Sequence, residues 1–347
     1  MNKQKNLLNA KKNKNDEFYT KLEDIEECLK YFKNRFRGKI VYCNCDCAKP
    51  TRWNLHRSAF YDYFKTHWKE LGYKEAIFTY YDKRGTSVMG VKLTPTEQKT
   101  KTSGWGKTKN SWGQSQDKKW FGDATSDEWQ EHDATKILVE KDFGLYDGDF
   151  RSKECQKILD TADIVVTNPP FSLFKEYIDN LYEKNKRFII IGNKNAINYL
   201  LPRFKNGTLW LGPVKPTDFE TPTGLHELKG LTRWFTNMEF REVETKQSSR
   251  FIHYTPEKYP KFDNYDAINV DRVGDIPTDY YDCMGVPITY LDSYDKNGEF
   301  EIVGITYSAD KNPDIEAIRT DEKHRHNPIL NGEEKYPRII IRRKQEK

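Results

Sequence analysis

The tetrapeptide Asn168-Pro169-Pro170-Phe171 combines an amide, a rigid backbone carbonyl and an aromatic face directly after the apolar run Ile164–Thr167. Two consecutive prolines have fixed φ angles and no N–H, so the neighbouring carbonyls stay free to accept hydrogen bonds. If the Asn168 side-chain oxygen and the Pro169 carbonyl accept from one amino group, the nitrogen lone pair leaves conjugation and becomes nucleophilic. Phe171 can stack on the ring that carries the amine. The pattern predicts a strand end that holds an exocyclic amine.

An ordinary strand end followed by a turn is the alternative, because prolines are common in turns. At an average Pro usage of about 5%, a polar-Pro-Pro-aromatic tetrapeptide arises by chance in roughly one chain in a hundred of this length. The apolar run in front of it makes coincidence rarer still. We therefore favour the functional interpretation of the tetrapeptide.

Other short motifs surround this tetrapeptide in a fixed order. They are Asn15-Asp16-Glu17-Phe18-Tyr19-Thr20, Val41-Tyr42-Cys43-Asn44-Cys45-Asp46, Asp147-Gly148-Asp149-Phe150, Ile189-Ile190-Ile191-Gly192-Asn193, Arg233-Trp234-Phe235-Thr236-Asn237 and Met284-Gly285-Val286-Pro287-Ile288-Thr289. Together with the Asn-Pro-Pro-Phe motif, the set resembles the EcoRI-type adenine-specific DNA methyltransferase family along most of the chain. The resemblance implies methyl transfer from S-adenosylmethionine to N6 of an adenine that is flipped out of double-stranded DNA. It also implies a role in restriction-modification or in phage or host DNA protection.

The hydrophobic pattern predicts an α/β fold between residues 15 and 200. Strand-like runs alternate with helical patterns, which favours a parallel sheet covered on both faces, and the resemblance implies a Rossmann-like methyltransferase sheet. The predicted helices are Leu22–Phe36, Phe60–Leu71, Ser152–Leu159 and Leu173–Glu183. The predicted strands are Lys39–Cys43, Glu75–Tyr80, a strand region from Ile137–Glu140, Asp163–Thr167 and Phe188–Ile191.

A segment at 83–122, rich in Lys, Thr, Ser and Gly, interrupts this alternation. It contains Trp105, Trp112 and Trp120, and we predict a long insertion or a β-hairpin excursion. The segment is a second candidate DNA surface, although three widely spaced tryptophans could equally form a local hydrophobic cluster.

Ligands of open α/β sheets bind at the carboxyl ends of the strands. Asn44 and Asp46 follow the first predicted strand, and the resemblance implies cofactor contacts there. No glycine lies between Lys39 and Gly72, so the glycine-rich turn usual in methyltransferases is missing. For Asp46, a turn or helix-capping role is the alternative.

Asp149 and Phe150 precede the catalytic strand by one short helix. The resemblance implies that Asp149 accepts from the cofactor's own adenine amino group and that Phe150 flanks that adenine. A plain β-turn over 146–149 is the alternative. Asp82, after the second predicted strand, is a weaker candidate for the ribose hydroxyls.

The segment Phe18-Tyr19-Thr20 resembles the part of related enzymes that meets the methionine end of the cofactor. The Thr20 hydroxyl and backbone could bond to its carboxylate and ammonium groups. Thr20 could also be the N-cap of a capping box with Glu23, and the two roles are compatible.

We predict that residues 201–347 form a mixed, strand-rich target-recognition and DNA-binding region. Its strand-like runs are Leu209–Pro213, Arg233–Phe235, Arg250–Tyr254 and Arg338–Lys344. Basic residues interleaved with aromatics suit phosphate contact and base stacking. The candidate DNA-binding residues are Arg233, Arg241, Lys246 and Arg250, each favoured as a surface charge or phosphate contact over a base reader.

The chain has 347 residues, 36% of them hydrophobic, and a formal net charge of +5. This length suits two domains and excludes a wholly disordered chain. Residues 1–14 form a basic arm in which Lys11, Lys12 and Lys14 could contact DNA. A solvated, frayed terminus is an equal alternative.

The cysteines do not favour a metal. Cys43, Cys45 and Cys47 alternate as if on one face of a strand, whereas zinc sites use pairs two to four residues apart with a second pair elsewhere. We predict no metal, and buried or cofactor-side thiols in a reducing cytoplasm. No apolar run is long enough to span a membrane and no secretion signal is present, so we expect a cytoplasmic protein, favoured as a monomer, with a cognate restriction endonuclease acting separately.

Three rival functions remain at this level. A protein glutamine N5-methyltransferase could use the same Pro-Pro corner, because a side-chain amide also offers an NH₂ group. A nuclease is suggested by Pro313-Asp314 with Asp321-Glu322-Lys323, but the segment between them is short and charged. A non-catalytic DNA-binding protein is the third possibility.

Overall fold

The computed structural model of this chain describes residues 19–49, 57–81, 88–98, 105–109, 115–119, 135–145, 147–217, 219–221, 224–226, 230–240, 251–307, 312–320 and 327–344. Several residues singled out in the sequence lie outside these ranges. They are Lys11, Lys12, Lys14, Phe18, Asp82, Trp112, Trp120, Arg241, Lys246 and Arg250.

Strands and helices of the described residues are numbered in chain order. The strands are β1 (Tyr19–Thr20), β2 (Ile40–Cys43), β3 (Glu75–Phe78), β4 (Val88–Gln98), β5 (Trp105–Lys109), β6 (Ser115–Lys119), β7 (Thr135–Leu145), β8 (Ile164–Thr167), β9 (Arg187–Asn193), β10 (Trp210–Leu211), β11 (Phe219–Thr221), β12 (Gly224–His226), β13 (Thr232–Thr236), β14 (Ile268–Asn269), β15 (Met284–Val286), β16 (Phe300–Ile305), β17 (Ile329–Leu330), β18 (Glu333–Glu334) and β19 (Ile339–Arg343). The helices are α1 (Leu22–Leu29), α2 (Ala59–Thr66), α3 (Trp68–Leu71), α4 (Lys153–Thr161), α5 (Phe174–Glu183), α6 (Ile197–Lys205) and α7 (Pro313–Glu316).

The main sheet has eight strands in the order β10-β13-β9-β8-β2-β3-β4-β7. Its centre, β9-β8-β2-β3, is parallel, whereas β13 and β10 on one flank and β4 and β7 on the other are antiparallel. The prediction of an α/β methyltransferase-type sheet is confirmed, but an entirely parallel sheet is wrong. The strand at Ile137–Glu140 exists as part of β7, yet it returns antiparallel beside β4.

Helices cover both faces of this sheet because the side chains of its central strands alternate. Val41 of β2 and Ile164 of β8 share one buried cluster with residues of α1 and α2. Tyr42 and Val165, one position further along each strand, share another with residues of α4, α5 and α6. All four residues of β8 are buried, as expected for a strand covered on both sides.

Local signals position these helices. In α1, Ile25, Cys28 and Leu29 are buried at helical spacing. The Ser58 hydroxyl accepts from Phe60 N–H in the first turn of α2, and the Ser152 hydroxyl accepts from Cys155 N–H in the first turn of α4. The predicted helix to Phe36 is shorter than expected: α1 ends at Leu29, and a 3₁₀ turn at Lys33–Arg35 follows.

Within the 83–122 segment, the described residues form β4 and the antiparallel pair of β5 and β6. β4 and β7 pair over eleven positions from Val88↔Leu145 to Gln98↔Thr135, but β3 pairs with only Val91 to Leu93 of β4. Because β4 runs opposite to β3, its distal end points away from the edge where the parallel strands end. The smaller pair β5 and β6 lies in the connection between β4 and β7.

The main sheet continues beyond residue 200, the predicted end of the catalytic domain. β13 pairs with β9 over five positions, and β10 pairs with β13. A second sheet of order β14-β15-β19-β16 begins only at Ile268. The strand-rich character predicted for the second half of the chain is therefore present, although its first strands belong to the main sheet.

The predicted strand over 250–254 is wrong for its described residues, 251–254. The backbone N–H groups of Ile252 and Tyr254 bond to side chains instead of a neighbouring strand. Ile252 N–H donates to Thr278 Oγ1 at 3.2 Å, and Tyr254 N–H donates to Asp279 Oδ1 at 2.8 Å. Among the helices that the structure describes, none has the length and apolarity needed to cross a bilayer.

Candidate active site

The residues Asn168–Phe171, called here the catalytic corner, leave the sheet at the end of β8. Pro169 is buried, and the other three side chains are partly buried. A 3₁₀ turn begins at Phe171, closed by a 3.0 Å bond from Leu173 N–H to Pro170 O. The corner lies beside the ends of β2 and β9, in the middle of the parallel strands.

The amide of Asn168 has a defined direction. Its Nδ2 donates to Thr20 Oγ1 at 3.2 Å, so the amide nitrogen faces β1 and the oxygen Oδ1 forms the opposite end. Oδ1 is buried in the protein. The amide oxygen is the acceptor end of this side chain, the kind of group that gripping an amine requires.

A small sheet of β1, β11 and β12 supports both ends of the catalytic corner. Thr20 pairs with Phe219 in its register, and the ring of Phe219 meets Phe171 edge to face at 6.4 Å between centroids. Buried Asp24 of α1 anchors the chain leading into β11, accepting from Thr217 N–H at 2.9 Å. The sequence predicted Thr20, but Phe219 and Asp24 were missed because no local motif marks β11.

Asp46 ties three elements together from the end of β2. Its Oδ1 accepts from Ser58 Oγ at 2.6 Å, and its Oδ2 accepts from Thr167 Oγ1 at 2.6 Å. Burial raises the pKa of Asp46 to about 6, against the lowering effect of the two hydroxyl bonds. Asp46 thus joins the N-terminus of α2 to the last residue before Asn168, which places it as a positioning residue for the catalytic corner.

Asn44 is also turned into the protein. It is 2% exposed, and the hydroxyl of fully buried Tyr177 donates to its Oδ1. This bond joins the end of β2 to α5, so the structure places Asn44 under the site rather than on its surface.

The residues Asp147–Arg151, called here the donor corner, approach the end of β3. A Cβ at Gly148, which has φ +70°, would lie 1.8 Å from Tyr80 O, so only glycine permits this approach. Phe150 is buried with its ring edge to face against Tyr177, 5.1 Å between centroids. The donor corner is thereby fixed at the same sheet edge as the catalytic corner.

Asp149 forms a two-pronged ion pair with Arg151. Oδ1 accepts from Arg151 Nε at 3.0 Å and from its backbone N–H at 2.8 Å, and Oδ2 accepts from Nη2 at 2.7 Å. The Arg151 guanidinium lowers the pKa of Asp149. A carboxylate has about four acceptor positions, so Oδ2 keeps capacity for one more N–H donor while the group stays ionised.

A cavity of about 590 Å³ opens beside Thr20. It lies against the first residues of α1 and the residues that begin α2, and its lining comprises Thr20, Lys21, Leu22, Glu23, Arg57, Ala59 and Thr217. Because Thr20 also bonds to Asn168, the cavity adjoins the catalytic corner. Lys21, Arg57 and two helix N-termini favour a carboxylate there, whereas Glu23 opposes it, and Arg57 is also paired with Asp62 at 2.9 Å between Nε and Oδ1.

Arg233 is the candidate DNA-binding residue that the structure describes, and it is buried. Its side chain is 8% exposed and lies 3.7 Å from Asp292, measured from Nε to Oδ1, while Nη1 donates to Thr232 O at 2.8 Å. Burial lowers the pKa of Arg233, and Asp292 opposes that effect. This placement does not favour direct readout of a base by Arg233.

The alternating cysteines do not share a strand face, since β2 ends at Cys43 and Cys45 and Cys47 lie beyond it. Burial raises the pKa of the Cys43 and Cys45 thiols. Within the described ranges no three His, Cys, Asp or Glu side chains form a group that could hold a metal.

The sheet with its central parallel strands and the Asn-Pro-Pro-Phe corner define the class of the protein: it is a methyltransferase. The family model described as "Adenine-specific methyltransferase EcoRI" matches residues 6–344, and the chain belongs to this family. It is a site-specific, adenine-specific DNA methyltransferase, and its family implies a methyl donor of the S-adenosylmethionine type. This membership selects DNA methylation over the rival functions considered above.

Three relatives match the chain over nearly its whole length. The Type II methyltransferase M.EcoRI of Escherichia coli is 34% identical over 365 positions, covering 98% of this chain and 96% of that protein. The Type II methyltransferase M.MgeORF184P of Mycoplasma genitalium is 30% identical, covering 97% and 98%. M.MpnI of Mycoplasma pneumoniae is 29% identical, covering 97% of each chain. No solved structure matches the chain significantly.

Proposed function

We propose that this enzyme transfers a methyl group from S-adenosylmethionine to N6 of an adenine turned out of double-stranded DNA. The observation that carries the proposal is the direction of the Asn168 amide, whose nitrogen is held by Thr20 at the end of the central strand β8. The N6 amine of a paired adenine is inaccessible inside the duplex, so the base must leave the stack to reach this corner.

At the catalytic corner, Asn168 Oδ1 and the Pro169 carbonyl accept the two N–H bonds of the amine. This arrangement draws the nitrogen lone pair away from the purine ring, toward the methyl donor. Phe171 stacks on the extruded base, with its ring held in place by Phe219. The proton of the methylated nitrogen leaves to water, so no strong base is required.

The residues at the sheet edge fit S-adenosylmethionine. Asp149 Oδ2 would accept from the adenine amine of the donor, Phe150 would flank its ring, and the cavity beside Thr20 would take its methionine end, with Lys21 and Arg57 facing the carboxylate. When bound, S-adenosylmethionine supplies a methyl group activated by a positively charged sulfur. Alignment of the amine with that methyl group can contribute several kcal/mol to catalysis.

Asp46 and Thr20 act on the catalytic corner from its two sides. Asp46 holds Thr167, the residue before Asn168, and Thr20 holds the Asn168 amide itself. Both contacts restrict the corner before substrate arrives, which lowers the cost of ordering it during the reaction.

Methyl transfer to duplex DNA tests the proposal directly. Long-read sequencing of DNA from cells that express the protein would identify modified adenines with their flanking bases, and a duplex with that sequence then serves as substrate. Asn168→Ala should lower the methylation rate by about a hundredfold or more, since misplacement of reacting groups costs this much. Its affinity for S-adenosylmethionine, measured by calorimetry, should be unchanged.

Asn206→Ala is the matched control, because Asn206 is exposed at the end of α6. It should methylate at the wild-type rate. An Asn168→Ala enzyme that marks adenines at an undiminished rate would contradict the proposed mechanism.

We further propose that methylation protects DNA from a cognate endonuclease that acts separately, and that the enzyme works as a monomer. The Type II designation of its relatives supports a restriction-modification context. Cleavage of unmethylated but not methylated host DNA in extracts tests the first proposal, and light scattering of the purified protein tests the second.

A further inference from the structure

Lys194 is a partly buried cation at the edge of the sheet where the catalytic corner lies. It is the first residue after β9, and its backbone N–H donates to Leu231 O at 2.8 Å, just before β13. Among the residues that the structure describes, no carboxylate lies within 4.0 Å of its ammonium group. Partial burial of an ammonium group costs free energy unless an anion compensates it.

The surroundings of Lys194 add positive charge. Arg233 lies opposite Gly192 in the pairing of β13 with β9, and burial together with the nearby Arg233 guanidinium lowers the pKa of Lys194. Asp292 faces Arg233 at 3.7 Å and also faces Lys215 at 2.8 Å. Asp292 thus faces two cations, and Lys194 is a further cation beside them.

Lys194 lies close to the catalytic corner along the sheet edge. β8 and β9 are parallel neighbours with Thr167 opposite Ile190, so Asn168 and Lys194 both lie just past the strand ends. With strands about 4.8 Å apart and about 3.3 Å per residue, their Cα atoms are separated by roughly 10 Å. That separation is on the scale of one nucleotide, from its base to its own backbone.

We propose that Lys194, reinforced by Arg233 behind it, binds a backbone phosphate of the DNA strand that carries the target adenine, at or next to the extruded nucleotide. This inference rests on the proposed function, because it needs an adenine at the catalytic corner. A phosphodiester supplies an anion for this ammonium group, and the contact fixes the extruded nucleotide without reading sequence. Arg233 contributes through its charge while remaining buried.

The salt dependence of DNA binding tests this assignment. With the duplex identified by sequencing, Lys194→Gln should bind about tenfold more weakly, the size of one charge-assisted hydrogen bond. The slope of log K against log salt should fall in magnitude by about 0.9, the value for one phosphate contact. Lys194→Arg should restore most of both quantities.

Lys184→Gln is the matched control. Lys184 precedes β9, at the opposite end of that strand, and its ammonium group is paired with Asp160 at 2.8 Å. Its removal should leave the affinity and the salt slope unchanged. Equal slopes for Lys194→Gln and the wild type would overturn the inference.

A neutral backbone linkage locates the phosphate. Single methylphosphonates placed in turn around the target adenine should weaken wild-type binding at one position near that base, and should cost nothing further in Lys194→Gln at the same position. Independent losses at every position would overturn the inference. Failure of the wild type to methylate the unmodified duplex would instead contradict the proposed function, so the two failures are distinguishable.

Discussion

The catalytic corner and the donor corner lie at one edge of one sheet, yet they are held by different forces. At the catalytic corner a hydroxyl orients Asn168 and an aromatic edge supports Phe171, while the buried Asp46 bonds to Thr167 behind it. An ion pair between Asp149 and Arg151 holds the donor corner. The difference agrees with the proposed ligands, a neutral amine at the catalytic corner and a cationic donor at the other.

The aspartates of the two corners make this difference measurable. Asp46, behind the catalytic corner, is buried and bonded to hydroxyl groups, so its pKa is raised to about 6. Asp149 faces a guanidinium, so its pKa is lowered. The same residue type therefore serves as a buried structural anchor at one corner and as a partly exposed, ion-paired carboxylate at the other.

The largest effect is expected from Asp46→Asn, measured as the free energy of unfolding against pH. The folded-state pKa of Asp46 lies above its ordinary value of 3.8, so between pH 4 and about 6 the folded protein binds more protons than the unfolded chain. The contribution of Asp46 to stability should thus fall as pH rises through this window, by about 3 kcal/mol at 1.36 kcal/mol per pKa unit.

Asp46→Asn removes this titration while retaining groups that can bond to Ser58 and Thr167. Denaturant unfolding of both proteins at pH 4.5 and pH 7 should show the variant gaining on the wild type as pH rises. A stability difference that is independent of pH would refute the assignment of a raised pKa. Asp160→Asn, an exposed change on α4, should not reproduce the pattern.

Asp149→Asn tests the other corner. Loss of the carboxylate removes a charged acceptor and the partner of Arg151, so affinity for S-adenosylmethionine should fall about tenfold, the effect of one hydrogen bond to a charged group. Affinity for duplex DNA should be unchanged. Calorimetry with the donor and fluorescence anisotropy with DNA measure the two quantities, and parallel losses in both would show that Asp149 supports the fold rather than the donor.

The sequence predicted those parts of the fold that depend on local pattern. The strand β8, the helix after the catalytic corner and the helix α4 follow from the apolar pattern. The family resemblance, carried by ordered motifs, was confirmed by the family match. Assignments of individual site residues, including Asp149 and Phe150, stay predictions.

Features that depend on distant pairing could not be predicted. The direction of β7 is set by its pairing with β4, not by its own residues. The burial of Arg233 depends on the position of β13 beside β9 and on Asp292, far along the chain. Phe219 supports Phe171 only because β11 pairs with the two-residue strand β1, and neither strand has a recognisable pattern.

The smallest effect is expected at Thr20, whose two contacts suggest two different tasks. Its hydroxyl holds Asn168, and the same residue lines the cavity proposed for the methionine end of the donor. If its main task is to orient the amide, Thr20→Val should slow single-turnover methyl transfer at saturating donor and DNA by about fivefold, the effect of one neutral hydrogen bond. Thr20→Ser keeps the hydroxyl and should restore the rate.

Donor affinity separates this task from a contact with the methionine carboxylate. For an orienting role, Thr20→Val should bind S-adenosylmethionine as tightly as the wild type, because only the approach of the amine is disturbed. A weaker donor complex with an unchanged single-turnover rate would assign Thr20 to the donor instead. That result would make β1 part of the cofactor site. Orientation of the Asn168 amide would then depend on the other contacts of the catalytic corner.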